Sequence, residues 1–94
     1  MTRPSVNPGP VADEAPTEPT VTDYDRLHLI TYLILLDAVR DGIDRKLIML
    51  EVLQIDPDQE PLRALRSYKS HLARAEWMTR EGYRYLLDTA KDAG

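Results

Sequence analysis

The chain has 94 residues, a formal net charge of −4 and no cysteine, so it is at most one small domain without a disulfide framework. With five Tyr, one Trp and no Phe, its core is expected to be Leu and Ile between helices. The most apolar run, Leu27 to Val39, is shorter than the about 20 residues that span a bilayer and is interrupted by Asp37; with no signal-peptide pattern at the N-terminus, a cytoplasmic, soluble chain is expected.

In chain order, residues 1–21 hold five of the seven prolines and show no apolar periodicity, which predicts a disordered tail ahead of a domain over 22–94. Thr22 or Asp23 can cap a first helix, with Asp25 in the first turn where the helix dipole favours negative charge. That helix is expected to run to about Asp41 and stop at Gly42. Asp44 then caps a short second helix, Arg45 to Leu53, with Leu47, Leu50 and Leu53 facing inward. The acidic turn "QIDPDQEP" follows. A third helix starts near Asp58 and Pro61, with Leu62, Leu65, Leu72 and Ala75 at helical spacing. Gly82 marks a break, and "YRYLLDTAK" reads as a last short helix with Leu86 and Leu87 packing back. The fold class is therefore all-α, of about four helices.

Little in the sequence supports catalysis or metal binding. There is no cysteine nucleophile, and His28 and His71 have no ligand spacing, so each is read as structural or surface. Asp56, Asp58 and Glu60 alternate as calcium ligands can, but the glycine and the later bidentate Glu of an EF-hand loop are missing. No cofactor is expected, and no enzyme.

Charge is unevenly spread. Residues 1–60 hold five basic and twelve acidic side chains, whereas residues 61–84 hold six basic and two acidic. A long helix, a Gly turn, a short helix, a second turn and a basic helix follow the order of a helix-turn-helix, whose later helix enters the DNA major groove. In that reading Arg63, Arg66, Lys69 and Arg74 would face DNA. However, the second turn is stretched from the usual three or four residues to about seven and carries Asp56, Asp58 and Glu60. Asp41, Asp44 and Glu51 lie nearby. DNA affinity comes largely from neutralising phosphates, and each of these carboxylates works against it.

The stretch "LRALRSYKSHLARAEWMTREGYRYLL" carries an arginine-spaced helix, then bulky apolar residues, then Gly82, Tyr83, Arg84, Tyr85, Leu86 and Leu87. This pattern resembles a proteobacterial domain of unknown function, an extended-turn helix-turn-helix found in activators of integrative and conjugative element transfer. The resemblance implies a DNA-binding basic face and an opposite face that contacts a small N-terminal domain. Single-domain, acidic members of that family act as antiactivators. The resemblance thus implies a protein that blocks a transcriptional activator, through its small N-terminal domain, or a LuxR-type quorum-sensing regulator. It would be a monomer when free, without nucleic acid or membrane partners. A DNA-binding regulator and an unrelated interaction module, such as an antitoxin, are the alternatives.

Projected at helical spacing, the first helix has two apolar stripes, where a surface helix needs one. Leu27, Ile30, Ile34 and Ala38 form the first; Tyr32, Leu35, Leu36 and Val39 form the second. Either the helix is central and covered on both sides, or the second stripe is a partner-docking patch. If the helix is core, the partner face falls around Tyr83 and Tyr85.

Overall fold

A computed structural model describes residues 11–82 and Arg84. The chain is all-α: α1 (Asp23–Leu27), α2 (Leu29–Arg40), α3 (Arg45–Glu51) and α4 (Pro61–Trp77), continued by a wide π-helical turn, Met78–Gly82. The expected last helix and its Leu86 and Leu87 lie outside the described residues.

Thr22 is the cap that starts the fold. Its hydroxyl accepts the Asp25 N–H at 3.2 Å, while the Asp25 carboxylate accepts the Thr22 N–H at 2.9 Å, a reciprocal capping box. The single first helix expected from the sequence is broken at His28, whose backbone (φ −107°, ψ 22°) separates α1 from α2. Gly42 ends α2 in the left-handed region at φ 76°. There the Ile43 N–H bonds the Ala38 carbonyl and the Gly42 N–H that of Val39, a Schellman closure.

Helix α3 ends at Glu51, two residues earlier than expected, and it is turned differently. Ile48 and Met49 are its buried side chains, whereas Leu47 and Leu50 are exposed. Leu53, beyond the helix, is buried as expected. In the turn that follows, Asp58 does not cap α4: its N–H bonds the Asp56 carboxylate at 2.9 Å, and Glu60 precedes Pro61 at the helix start.

Two apolar clusters lie along α4. Met49, Leu53 and Ile55 pack on Ala64 near its start; Tyr32 packs with Ala75 and Met78 near its end. The face α4 turns inward is Ala64, Ser67, His71, Arg74 and Ala75, with Leu65 and Leu72 only half-buried and Leu62 fully turned out.

Residues 11–21 correct the expectation of a tail outside the domain, whereas residues 1–10 of that expected tail lie outside the described residues. They run as an extended strap over that inward face of α4. Val11 enters the first cluster, Val21 the second, and Ala15 is buried between them. Among the described residues no strand lies beside this stretch, so its polar backbone groups must find other partners. Here side chains supply them: Ser70 accepts the Ala15 N–H at 3.0 Å, and Ser67 donates to the Ala12 carbonyl at 3.2 Å. Alanine and serine on α4 also let the strap backbone approach closely. Prolines in this strap do not argue for disorder, because it makes no ladder for them to interrupt.

Candidate functional site: a buried ion pair and an exposed apolar face

The polar centre of the domain is Asp25, fully buried, and Arg74, 4% exposed. Arg74 Nε and Nη2 bond the two carboxylate oxygens at 3.0 and 2.7 Å. The same guanidinium donates to the Glu18 carbonyl at 2.7 Å and the Thr20 carbonyl at 2.8 Å, and lies 3.9 Å from the Trp77 ring centre. The Tyr32 hydroxyl donates to Asp25 at 2.7 Å. One ion pair thus ties the strap, α1, α2 and α4 together. Burial alone would raise the Asp25 pKa, but hydrogen bonds from Arg74, Thr22 and Tyr32 outweigh it and hold the carboxyl at about 2.

The two histidines, distant in sequence, both pack against Tyr24. His71 Nδ1 lies 2.7 Å from the Ser67 carbonyl, so that nitrogen carries the proton. Its Nε2 then accepts from the Tyr24 hydroxyl, whose oxygen accepts the Ala12 N–H at 2.9 Å. Burial lowers the pKa of His28 and, against the opposing bond to the Ser67 carbonyl, that of His71, so the fold favours neutral rings. A histidine depressed on folding stabilises fully above its unfolded pKa, about 6.5, and that contribution is lost as pH falls through the folded value. Asp25 adds a loss of the same sign from about pH 4 down to its folded value of about 2. The urea midpoint should therefore drop between pH 7.5 and pH 5 through the histidines and again below pH 4. A flat profile from pH 7.5 to pH 5 would mean that neither ring is held neutral by the fold.

The structure inverts the two stripes of the first helix. Tyr32 and Leu35, expected at a partner patch, are core residues at 2% and 0% exposure. Leu36 is half-buried and Val39 is 38% exposed at the helix end. The expectation followed apolar spacing alone, and α4 and the strap cover the stripe that contains Tyr32. The stripe left in solvent contains Leu27, Ile30 and Ile34, joined by Leu33, at 49–59% exposure. Beside it an apolar cleft of about 320 Å³ opens between α2 and the end of α4, lined by Leu29, Tyr32, Leu33, Leu36, Ala75, Met78 and Thr79. Tyr83 and Tyr85 lie outside the described residues. Leu35→Ala should cost about 2–5 kcal/mol in urea unfolding, as buried leucines do. Leu33→Ala should stay within about 0.5 kcal/mol.

Of the four side chains placed on a DNA face, two have no ion-pair partner among the described residues. Arg74 is consumed inside the domain. Arg63 is bonded to Asp13 of the strap at 2.6 Å and to Glu60 at 3.0 Å. Arg66 and Lys69 point outward from α4. Among the described residues no three His, Asp or Glu side chains converge as a metal ligand set, and Asp56, Asp58 and Glu60 are no exception. No helix in the described part is long and apolar enough to cross a membrane.

The fold and these surfaces define a small all-α domain with a strapped helix and an exposed apolar face. The chain matches no protein-family model and no curated protein sequence.

Proposed function

We propose that this domain works by protein–protein binding and not by reading DNA, and that its partner is a transcriptional activator which it inhibits. The observation that carries the first part is the strap across α4. A helix that reads the major groove must present its side chains to base edges. Here the strap lies along the inward face of α4, where it takes up two of that helix's four candidate DNA contacts, Arg63 and Arg74, and brings the carboxylate of Asp13 beside the helix. Acidic residues in the 56–60 turn add to the repulsion of phosphate.

The second part rests on the resemblance of the Gly82–Leu87 pattern to the domain of conjugative-element regulators, whose acidic, single-domain members are antiactivators, together with the α2 face. A domain that replaces an activator's own regulatory domain needs an apolar surface of its own. Leu27, Ile30, Leu33 and Ile34 form such a surface, of a kind that small soluble monomers rarely expose without use. The activator's small N-terminal domain is the proposed occupant, and a LuxR-type quorum-sensing regulator is the second candidate for it. The free chain would then be monomeric, cytoplasmic and without catalytic activity.

Two measurements test this. Fluorescence anisotropy with promoter duplexes at physiological salt should give no binding tighter than the roughly 10⁻⁴–10⁻⁶ M of non-specific contacts. Salt-dependent sub-micromolar binding would instead put the DNA-binding regulator first, with Arg66 and Lys69 as its contacts. In a host reporter driven by the activator, the full chain should repress expression, and Leu33→Asp should relieve that repression without loss of fold. Repression unchanged by Leu33→Asp would remove α2 from the interface.

A further inference from the structure

A second groove lies away from the α2 face, between α3 and the acidic turn. Its volume is about 240 Å³, and Leu47, Leu50 and Pro57 line it together with Asp44, Lys46, Asp56 and Asp58. Leu47 and Leu50 are 47% and 46% exposed, although a helix of this amphipathic chain would ordinarily bury its leucines. The volume falls below the roughly 300–1,000 Å³ of small-molecule pockets, so it suits one or two protein side chains better than a free ligand.

Charge decides what kind of partner fits. Three carboxylates and one ammonium surround the leucines, and the ammonium of Lys46 is already 3.7 Å from Asp58. A second copy docked through this same groove would set carboxylate against carboxylate. Two half-exposed leucines also fall far short of the about 800 Å² per partner that a stable dimer buries. An anionic or nucleic-acid partner is repelled for the same reason.

We infer that this groove docks a basic amphipathic helix of a partner protein. Leu47 and Leu50 stand one helical turn apart, the spacing that receives an apolar side chain from a facing helix. Lys or Arg residues flanking that anchor on the partner then reach Asp44, Asp56 and Asp58. The acidic turn that disfavours DNA is, in this account, a selector for cationic partner helices. The inference does not depend on the partner being an activator, and the α2 variant above does not touch it.

The probe is a labelled helical peptide with leucines at one-turn spacing and flanking lysines, titrated into the full chain. A control peptide replaces every lysine by glutamate. The lysine peptide should bind at least about tenfold more tightly near 50 mM salt, and the gap should narrow near 500 mM as screening grows. Leu50→Ser should weaken the lysine peptide about tenfold or more with the thermal midpoint unchanged, because that side chain is not core. Asp56→Asn with Asp58→Asn should shrink the discrimination, since only Asp44 is left to face the lysines, while the amide oxygen at position 56 can still accept the N–H of residue 58 and keep the turn.

Equal affinity for both peptides, no binding near millimolar concentration, or affinity indifferent to Leu50→Ser would each overturn the inference. So would a concentration-dependent dimer of the full chain that Leu50→Ser dissolves. Reporter repression with failed peptide binding would sink this groove alone. Peptide binding without repression would sink the activator reading alone.

Discussion

Arg74→Met should cost the domain about 3–5 kcal/mol, because it strands Asp25 as an unpaired buried carboxylate. Asp25 is held by Arg74, Thr22 and Tyr32, and only Arg74 brings a compensating charge. The same substitution frees the Glu18 and Thr20 carbonyls of the strap. In urea, the Arg74→Met midpoint should fall well below that of Tyr32→Phe, which removes one hydrogen bond to a charged group, about 1.5–3 kcal/mol. Adding Asp25→Asn to Arg74→Met should recover part of the loss, since the stranded charge is then gone. Such non-additivity is what a double-mutant cycle reads for groups in contact. An Arg74→Met loss under about 1 kcal/mol would show that the pair is not what joins the strap to the helices.

Removal of residues 1–21 should also destabilise the domain severely, contrary to what the proline content of that segment suggests. Such a truncation takes Val11 from one cluster and Val21 from the other, each worth roughly 1.5–3 kcal/mol when fully buried. It also exposes Ala64, Ser67 and His71, a face with little apolar area to hold itself together. Ordering the strap costs entropy, so the net loss is smaller than the sum, on the order of 2–4 kcal/mol. For a domain of this size that shifts the thermal midpoint by about 4–8 °C per kcal/mol. A chain starting at Thr22 that melts with the full chain would mean that the strap contributes nothing to stability.

Much of the helical order is legible from local signals: Thr22 capping, the Gly42 stop and Pro61 at the start of α4 all follow from backbone chemistry within a few residues. Asp44 stands at the N-cap position of α3, as its place in the sequence suggests, but its side chain makes no capping hydrogen bond there. What periodicity could not assign was the side of each helix that finds cover. Leu47 and Leu50 have the spacing of a core face, but the fold buries Ile48 and Met49 instead. The apolar stripe of α2 that contains Tyr32 is buried, while that of Ile30 and Ile34 is open, and apolar spacing alone treats the two alike.

The strap is illegible in the apolar pattern of the sequence for a different reason. Its seat on α4 is built from Ala, Ser, His and Arg, which no hydrophobic pattern detects. One signal was present in the sequence. Ala64, Ser67, His71 and Ala75 recur at helical spacing on a helix whose leucines are few, and small or hydrogen-bonding residues in that pattern suit a backbone laid against them. Charge spacing alone places Arg74 on a DNA face, because its counter-ion, Asp25, lies 49 positions away in the sequence.

Helix α3 has consequences for motion as well as for docking. It spans seven residues, buries only Ile48 and Met49, and is bounded by two left-handed residues, Gly42 (φ 76°) and Gln54 (φ 60°). Short helices with few buried side chains open locally at free energies well below that of global unfolding. Its amides should therefore exchange with deuterium through local opening, while those of α4 near Ser67 and His71 wait for the whole domain to unfold. Occupancy at Leu47 and Leu50 would be visible as a slowing confined to α3. The element that carries the acidic groove is thus also the one whose order a bound helix can most readily change.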